Sequence, residues 1–543
     1  MHHKTLTFRP KFALVKRLNM IFKSTPVKNI VGEKIASVLP DYGKPWFKVG
    51  HLLQLNLLLI VPLLSSAAGG YDGSLMNGLQ SMTEWREEFG NPQGTMLGFV
   101  NAAMCFGALI ALPISGWFPD LIGRKKTLLL GIFGIIVATI IQATSTTLAQ
   151  LIVSRFVVGF AGQVAGQPSP MLIAELSYPT YRGKATSMYN CLFYIGGILA
   201  SWTCYGCTDR GDNWAWRIPV ILQAGYPAVQ LVFFWFVPES PRWLISKGKM
   251  DEARAILVKY HAGGDADSPL VDVEIQEIVA ALEMEREANQ TKWTDLVSTP
   301  GNRRRTYISV TLGVASQWSG LAVVSYYLTL VLDTIGITSS SMQTLINGLL
   351  QIFNFIAAVS AALLVDFLGR RTLFLWSGLG MLISYIIWTA CSATFDKTGS
   401  VACGRAVLGF IFIFAFHYDI AYTPLVMGYP TEIFPFSLRS KGITAVMFSV
   451  QGSLAIAGFC NSIALDRIGW KYYIVFCVLL ALISVNSYFF YPETKGYSLE
   501  EIAELFDGKG VLDIEVASVA KIEEKDDKMD LKTEIQHIES SSI

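Results

Sequence analysis

The sequence predicts an all-helical integral membrane protein: twelve transmembrane helices in two pseudo-symmetric six-helix bundles, with amphipathic helices in a soluble linker between them. Three observations carry this. Only 16% of the 543 residues are charged while 52% are apolar, whereas soluble domains are about a quarter charged. Uncharged runs of the ~20 residues needed to cross ~30 Å of hydrocarbon occur twelve times. Charged signatures in the first half recur in the second, in the same order, about 250 residues later.

Taken in order, residues 1–50 hold ten Lys or Arg against Glu33 and Asp41, and such a basic excess marks the cytoplasmic side. Residues 51–245 form the first bundle, with apolar runs centred near Ile60, Gly107, Ile135, Gly162, Ile195 and Ala228. Residues 246–305 are the longest polar interval, and its stretch from Asp251 to Glu287 alternates charged and aliphatic residues at helical spacing, the mark of amphipathic helices. Residues 306–496 form the second bundle, with runs near Val323, Phe355, Leu382, Ile413, Leu454 and Leu480. Residues 497–543 are a polar tail, which twelve crossings return to the cytoplasm. The basic clusters Arg124-Lys125-Lys126, Arg303-Arg304-Arg305 and Arg370-Arg371 then share that face. The first apolar stretch begins about fifty residues in and is of full spanning length, which argues against a cleaved signal peptide.

Several functions drop out. A formal charge of +1 provides no basic field for nucleic acid. The eight cysteines are sparse, and the lone C-x-x-C of Cys204 and Cys207 has no second pair at metal-ligand spacing. No cofactor or metal is expected. Neither a phosphate-binding glycine loop nor a G-x-S-x-G turn is present, which argues against an enzyme.

Three signatures occur once in each half. Asp120-Leu121-Ile122-Gly123-Arg124-Lys125 answers to Asp366-Phe367-Leu368-Gly369-Arg370-Arg371; Glu175 with Arg182, seven residues on, answers to Glu432 with Arg439; Pro238-Glu239-Ser240-Pro241-Arg242 answers to Pro492-Glu493-Thr494-Lys495-Gly496. A carboxylate and a guanidinium at neighbouring helix ends can pair bidentately where water is scarce. Pairs that form in one conformation and break in another bias a two-state equilibrium. Asp120, Arg124, Glu175, Arg182, Glu239 and Arg242, with Asp366, Arg370, Glu432, Arg439 and Glu493, are therefore expected to act as a cytoplasmic gate, Glu175 and Arg182 forming one pair and Glu432 and Arg439 its counterpart.

These signatures, together with Gly70-Tyr71-Asp72, the stretch Arg155 to Glu175, Ser316-Gln317-Trp318-Ser319-Gly320, Tyr326-Tyr327 and Glu432-Ile433-Phe434-Pro435, resemble a sugar porter of the major facilitator superfamily (MFS) from about Leu52 to Glu501. Within it, Thr423-Pro424-Leu425 and the Ile463 to Tyr473 region are similar to the fungal lactose-permease and cellodextrin-transporter branch. The resemblance implies an MFS fold in the plasma membrane, functional as a monomer, whose partners are a sugar, a proton and the lipid bilayer. A facilitator without proton coupling and a transporter-like sugar sensor remain open as other readings.

An ionisable residue inside a span is costly and is a functional candidate by default. Asp72 follows some twenty apolar residues and Arg155 opens another apolar run; the resemblance implies that the two face each other and couple transport to a proton. At ~4 Å and an effective dielectric of ~20 their attraction is on the order of 4 kcal/mol, enough for protonation to decide whether the pair forms. By the family pattern Asn190, Gln317, Tyr326, Asn354, Gln451 and Asn461 should bind the sugar through amides and hydroxyls. Ser316, Ala322, Met427 and Gly452 stand where many hexose carriers have a Gln, an Asn and two Trp. The lost rings suggest room for a disaccharide or a differently oriented sugar.

Overall fold

The computed structural model describes residues 34–40, 42–288, 291–497 and 499–508, except for the side chains of 287, 288, 362–367, 499 and 500. Among these residues the ordered elements are all helical. The first six spans are Gly50–Ser81, Gly94–Ile122, Arg124–Ala143, Leu148–Gly166 continued by Pro168–Leu176, Arg182–Cys207, and Trp214–Gln223 continued by Gly225–Phe233. The second six are Pro300–Trp318 continued by Leu321–Asp333, Ser340–Leu368, Arg370–Thr398, Val401–Ile433, Phe436–Ile468 and Tyr473–Phe490.

Ten helical runs are long and apolar enough to cross a membrane, one of them, Phe436–Phe490, holding spans eleven and twelve. Span five, Arg182–Cys207, is too polar to count by that measure because Tyr189, Asn190, Ser201 and Thr203 dilute it. Its helix persists because spans one and eight pack along it. Packing repeats between the halves: span one lies on five as seven lies on eleven, two on four as eight on ten, and three on four as nine on ten. That repetition is the pseudo-symmetry of a duplicated bundle.

Apolar helices gain no hydrophobic energy by leaving lipid, so close packing of small residues holds them together. Gly70 meets the Phe193 carbonyl of span five, and Gly196 returns the contact against the Ala67 carbonyl of span one; Gly107 and Gly159 make the same reciprocal crossing between spans two and four. Span seven breaks at Gly320, whose φ of 100° sets the left-handed turn while the Tyr385 ring fills the space a side chain would need.

The halves meet along spans two and eleven, five and eight, and one and seven. Span seven kinks at Tyr327 (φ −134°, ψ 22°), and the Asn77 side-chain amide spans the break. It donates to the Val324 and Ser325 carbonyls at 3.2 and 2.7 Å and accepts from Leu328 N–H at 3.3 Å. Gln80 donates to the Tyr326 carbonyl at 3.0 Å, and Asn347 to Ser201 at 3.0 Å. These bonds close the end of the bundle far from the linker. At the linker end span five has no buried residue before Gly196. This end of span five is loosely packed, tied to span four by Tyr189 OH donating to the Gly166 carbonyl at 3.2 Å, and with the bonds between halves gathered at the opposite end the structure is open on the linker side.

The linker helices Pro241–Ser246, Met250–Tyr260 and Pro269–Ala288 dock on the first half through buried His261, held between the Glu274 carboxylate (2.8 Å) and the Leu176 carbonyl at the end of span four (3.1 Å). A last helix, Leu499–Asp507, is tied to span seven by a bidentate Arg305–Asp507 pair at 3.0 and 2.7 Å.

The crossing of spans two and four yields a direct check. A side chain at Gly159 would run into the Met104 backbone, whereas one at Gly162, a turn further along, meets nothing within 4 Å. Overpacking that requires backbone movement costs about 1–3 kcal/mol or more. Gly159→Leu is expected to cut the yield of monodisperse protein in size-exclusion chromatography at least fivefold, and Gly162→Leu to leave it near the parent's.

Candidate functional site

Asp72 sits in the half of span one away from the linker, 3% exposed, and Arg155 on span four is fully buried. The crossing glycines bring the two together. Asp72 Oδ1 accepts from Arg155 Nη1 at 2.5 Å and from Gln223 Nε2 of span six at 2.9 Å. Asp72 Oδ2, Arg155 Nε and Gln223 Oε1 have no hydrogen-bond partner among the described residues. Charge in such a place is expensive, and removing one member of a buried pair strands the other.

Beside the pair lies a central cavity of about 320 Å³, built from both halves. Gln317 and Tyr326 of span seven, Asn354 of span eight and Gln451 of span eleven line it, as does Ala322. Two of the expected sugar ligands are not brought there. Asn190 is exposed and lies one turn toward the linker from Phe193 and Tyr194, which do line the cavity; at that spacing it shares their face and fronts the vestibule. Asn461 is buried further along span eleven, where its Oδ1 accepts from Tyr472 OH at 2.8 Å. Among the pocket-shaping positions, Ser316 is buried with its hydroxyl turned back to the Gly313 carbonyl at 2.7 Å, Met427 is half-buried, and Gly452 has open space where a side chain would go.

Three lining residues escaped the sequence reading. Gln351 donates to Ser74 across the halves at 3.1 Å. Tyr194 of span five donates to Asp419 Oδ1 of span ten at 3.1 Å, and Thr423 donates to the same oxygen at 2.8 Å, leaving Oδ2 without a partner. Asp419 carried a usable signal, an acid at the centre of an otherwise uncharged run, which is the criterion that singled out Asp72. Gln223, the third member of the ion-pair cluster, had none, because neutral amides commonly join membrane helices.

At the linker end the charged repeats pair differently from expectation. Glu175 bonds Arg124 at 3.1 Å rather than Arg182, and Glu432 bonds Arg370 at 3.0 Å rather than Arg439. Packing of span four on three, and of ten on nine, puts those guanidinium groups nearer than the arginines that follow in sequence. Asp120 joins Arg124 at 3.1 Å; the Asp366 side chain lies outside the described residues. Glu239 takes the Lys125 N–H at 3.0 Å, and Glu493 takes the Arg370 N–H at 2.8 Å, so each carboxylate caps the first turn of a span. Burial pushes the Glu239 carboxyl above the usual carboxylate range, opposed by the Ser240 and Lys125 N–H groups and by Arg124. Arg242 pairs with Glu285 of the linker, while Arg439 Nε and Nη2 have no hydrogen-bond partner among the described residues.

With fold and cavity in place, comparison with known proteins supplies the class. The model of the family described as "Sugar (and other) transporter" matches residues 58–506, and the chain belongs to that family of the major facilitator superfamily. It is 29% identical to the MFS-type transporter oryC of Aspergillus oryzae over 87% of this chain and 88% of that protein. It is 28% identical to the hexose transporter HXT10 of Saccharomyces cerevisiae, covering 81% and 82% of the two chains. Its fold matches the inward-open xylose transporter XylE from E. coli with a TM-score of 0.70, at 22% identity over 83% of this chain and 100% of that one.

The buried pair makes a stability prediction. Asp72→Ala strands the Arg155 guanidinium and should cost about 3–5 kcal/mol. Arg155→Leu should cost less, since the remaining carboxyl can take up a proton. The double variant should unfold at a higher temperature than Asp72→Ala alone, measured by thermal unfolding in detergent.

Proposed function

We propose that this protein imports a sugar together with a proton by alternating access, and that Asp72 carries the proton. The observation that supports this most is the Asp72–Arg155 ion pair, buried between two helices beside a cavity lined by amides and hydroxyls from both halves. Amides and hydroxyls suit a polyhydroxylated, neutral solute, and the one carboxyl on the wall, Asp419, accepts from Tyr194 and Thr423. Protonated Asp72 gives up its ionic hold on Arg155, and deprotonation restores it, so the proton's presence shifts the relative stability of the two orientations.

Gln317, Tyr326, Asn354 and Gln451 are our proposed sugar ligands, with Asn190 meeting the sugar in the vestibule. The small side chain of Ala322 on the cavity wall favours a disaccharide such as lactose or cellobiose over a hexose or pentose. The yeast relatives named for hexose or glucose transport support the sugar class, and a relative of solved structure is a proton:xylose symporter. We place the protein in the plasma membrane with linker and termini in the cytoplasm, so the orientation described above is inward-open. Breaking and remaking of Arg124–Glu175 and Arg370–Glu432, with Arg182 and Arg439 as alternative partners, would then gate the cytoplasmic end.

The test is uptake of labelled lactose, cellobiose, glucose and xylose in a host lacking its own carriers, with and without a protonophore. Asp72→Asn keeps the shape of the acid and an oxygen facing Arg155. It should lower proton-driven accumulation at least tenfold while exchange at equal concentrations stays within about twofold. Undiminished uphill accumulation by this variant would remove Asp72 from the mechanism.

A further inference from the structure

Asp72 does not line the central cavity. It lines a separate, smaller one of about 270 Å³, bounded by spans one to six and by Gln451 of span eleven. Its polar walls are Asp72, Ser65, Gln163, Gln223 and Gln451, the last of which also lines the central cavity. Asp72 and Gln223 are more than nine-tenths buried, yet Asp72 Oδ2 and Gln223 Oε1 find no hydrogen-bond partner among the described residues. Buried oxygens of this kind are ordinarily satisfied by water. Met104, Ala108, Phe193 and Gln451 line both cavities, and Met104 and Phe193 are the bulky apolar groups among these four.

The smaller cavity is polar toward the linker. Ser65 lies seven residues from Asp72 in that direction, two helical turns or about 10 Å, and is joined to Ser169 and Gln230 by hydrogen bonds of 2.8 and 2.9 Å. Ser169 belongs to the linker-end segment of span four. Asp72 is the only charged group among the lining residues; Arg155 behind it and Cys105 on span two are the titratable groups beside it, and Tyr326 faces the region from span seven.

We propose that this second cavity is a proton chamber. It admits water and a hydrated proton to Asp72 from the linker side, and Met104 and Phe193 keep the sugar out. The inference rests on Asp72 being the proton carrier and adds a route that sugar does not share. Sugar and proton can then be held at once, and a bound sugar does not block release of the proton.

Gly162 lines the chamber but not the central cavity, and a Cβ added there meets no atom within 4 Å. Gly162→Leu should fill the chamber with hydrocarbon. With lactose, cellobiose and glucose as probes, proton-driven accumulation and sugar-induced alkalinisation of the medium should fall at least tenfold, while exchange at equal concentrations stays within about twofold. Undiminished accumulation would overturn the proposal, and so would loss of exchange in parallel, which would make the chamber part of the sugar path.

A second measurement does not depend on how the leucine is accommodated. In inside-out vesicles a cationic methanethiosulfonate should label Gly162→Cys and Ser325→Cys, each compared with the parent for labelling of native cysteines. Saturating sugar should protect Ser325→Cys, on the central cavity, and leave Gly162→Cys exposed. Protection of both would overturn the separation. If Asp72→Asn abolishes accumulation but Gly162→Leu does not, the chamber alone fails; if Asp72→Asn accumulates normally, the proton reading fails first.

Discussion

A carboxylate and a guanidinium buried in hydrocarbon must satisfy each other, and the first bundle is arranged so that they can. Asp72 and Arg155 meet only because spans one and four are held at backbone distance by glycines packed against their neighbours, Gly70 and Gly196 on one side, Gly107 and Gly159 on the other. Gln223 from span six supplies a second donor to the same oxygen. Three helices thus converge on one atom, Asp72 Oδ1. Desolvation makes the arrangement costly: each charge depends on the other, and removing either one strands its partner.

The same economy of contacts governs the linker end. The charged pairs that join span ends there, Arg124 with Glu175 and Arg370 with Glu432, each lie within one half, and Arg242 reaches only the linker's Glu285. Each half is stapled to itself, and the far end carries the hydrogen bonds that join the two. A body built this way can pivot about its closed end without unfolding either bundle, which is the motion alternating access requires. Tyr194 reaching Asp419 adds a link across the halves at mid-depth, beside the cavity.

Spans, linker and duplication were legible because a bilayer demands long uncharged helices and a copied unit repeats its charges. Asp72 and Arg155 were legible for the complementary reason, that charge inside such a helix stands out. The wrong partners chosen for Glu175 and Glu432 show where this stops. Sequence proximity favoured Arg182 and Arg439, but partner choice follows the packing of span four on three and ten on nine, which no spacing encodes. Gln223 was silent because an amide in a membrane helix is ordinary until its neighbours are known. Asn190 and Asn461 carry the right chemistry on the right helices; the face and depth of each, set by helix rotation, place them elsewhere.

The Asn77 amide bridges a kink in span seven by gripping backbone atoms, the carbonyls of Val324 and Ser325 and the N–H of Leu328, and Gln80 likewise holds the carbonyl of Tyr326. The side chains of Ser325 and Tyr326 face the cavity, yet the seal above them does not consult their identity. Wall and latch are thus separable: substitution at these two positions can reshape the cavity surface while the backbone atoms that the amides grip stay in place.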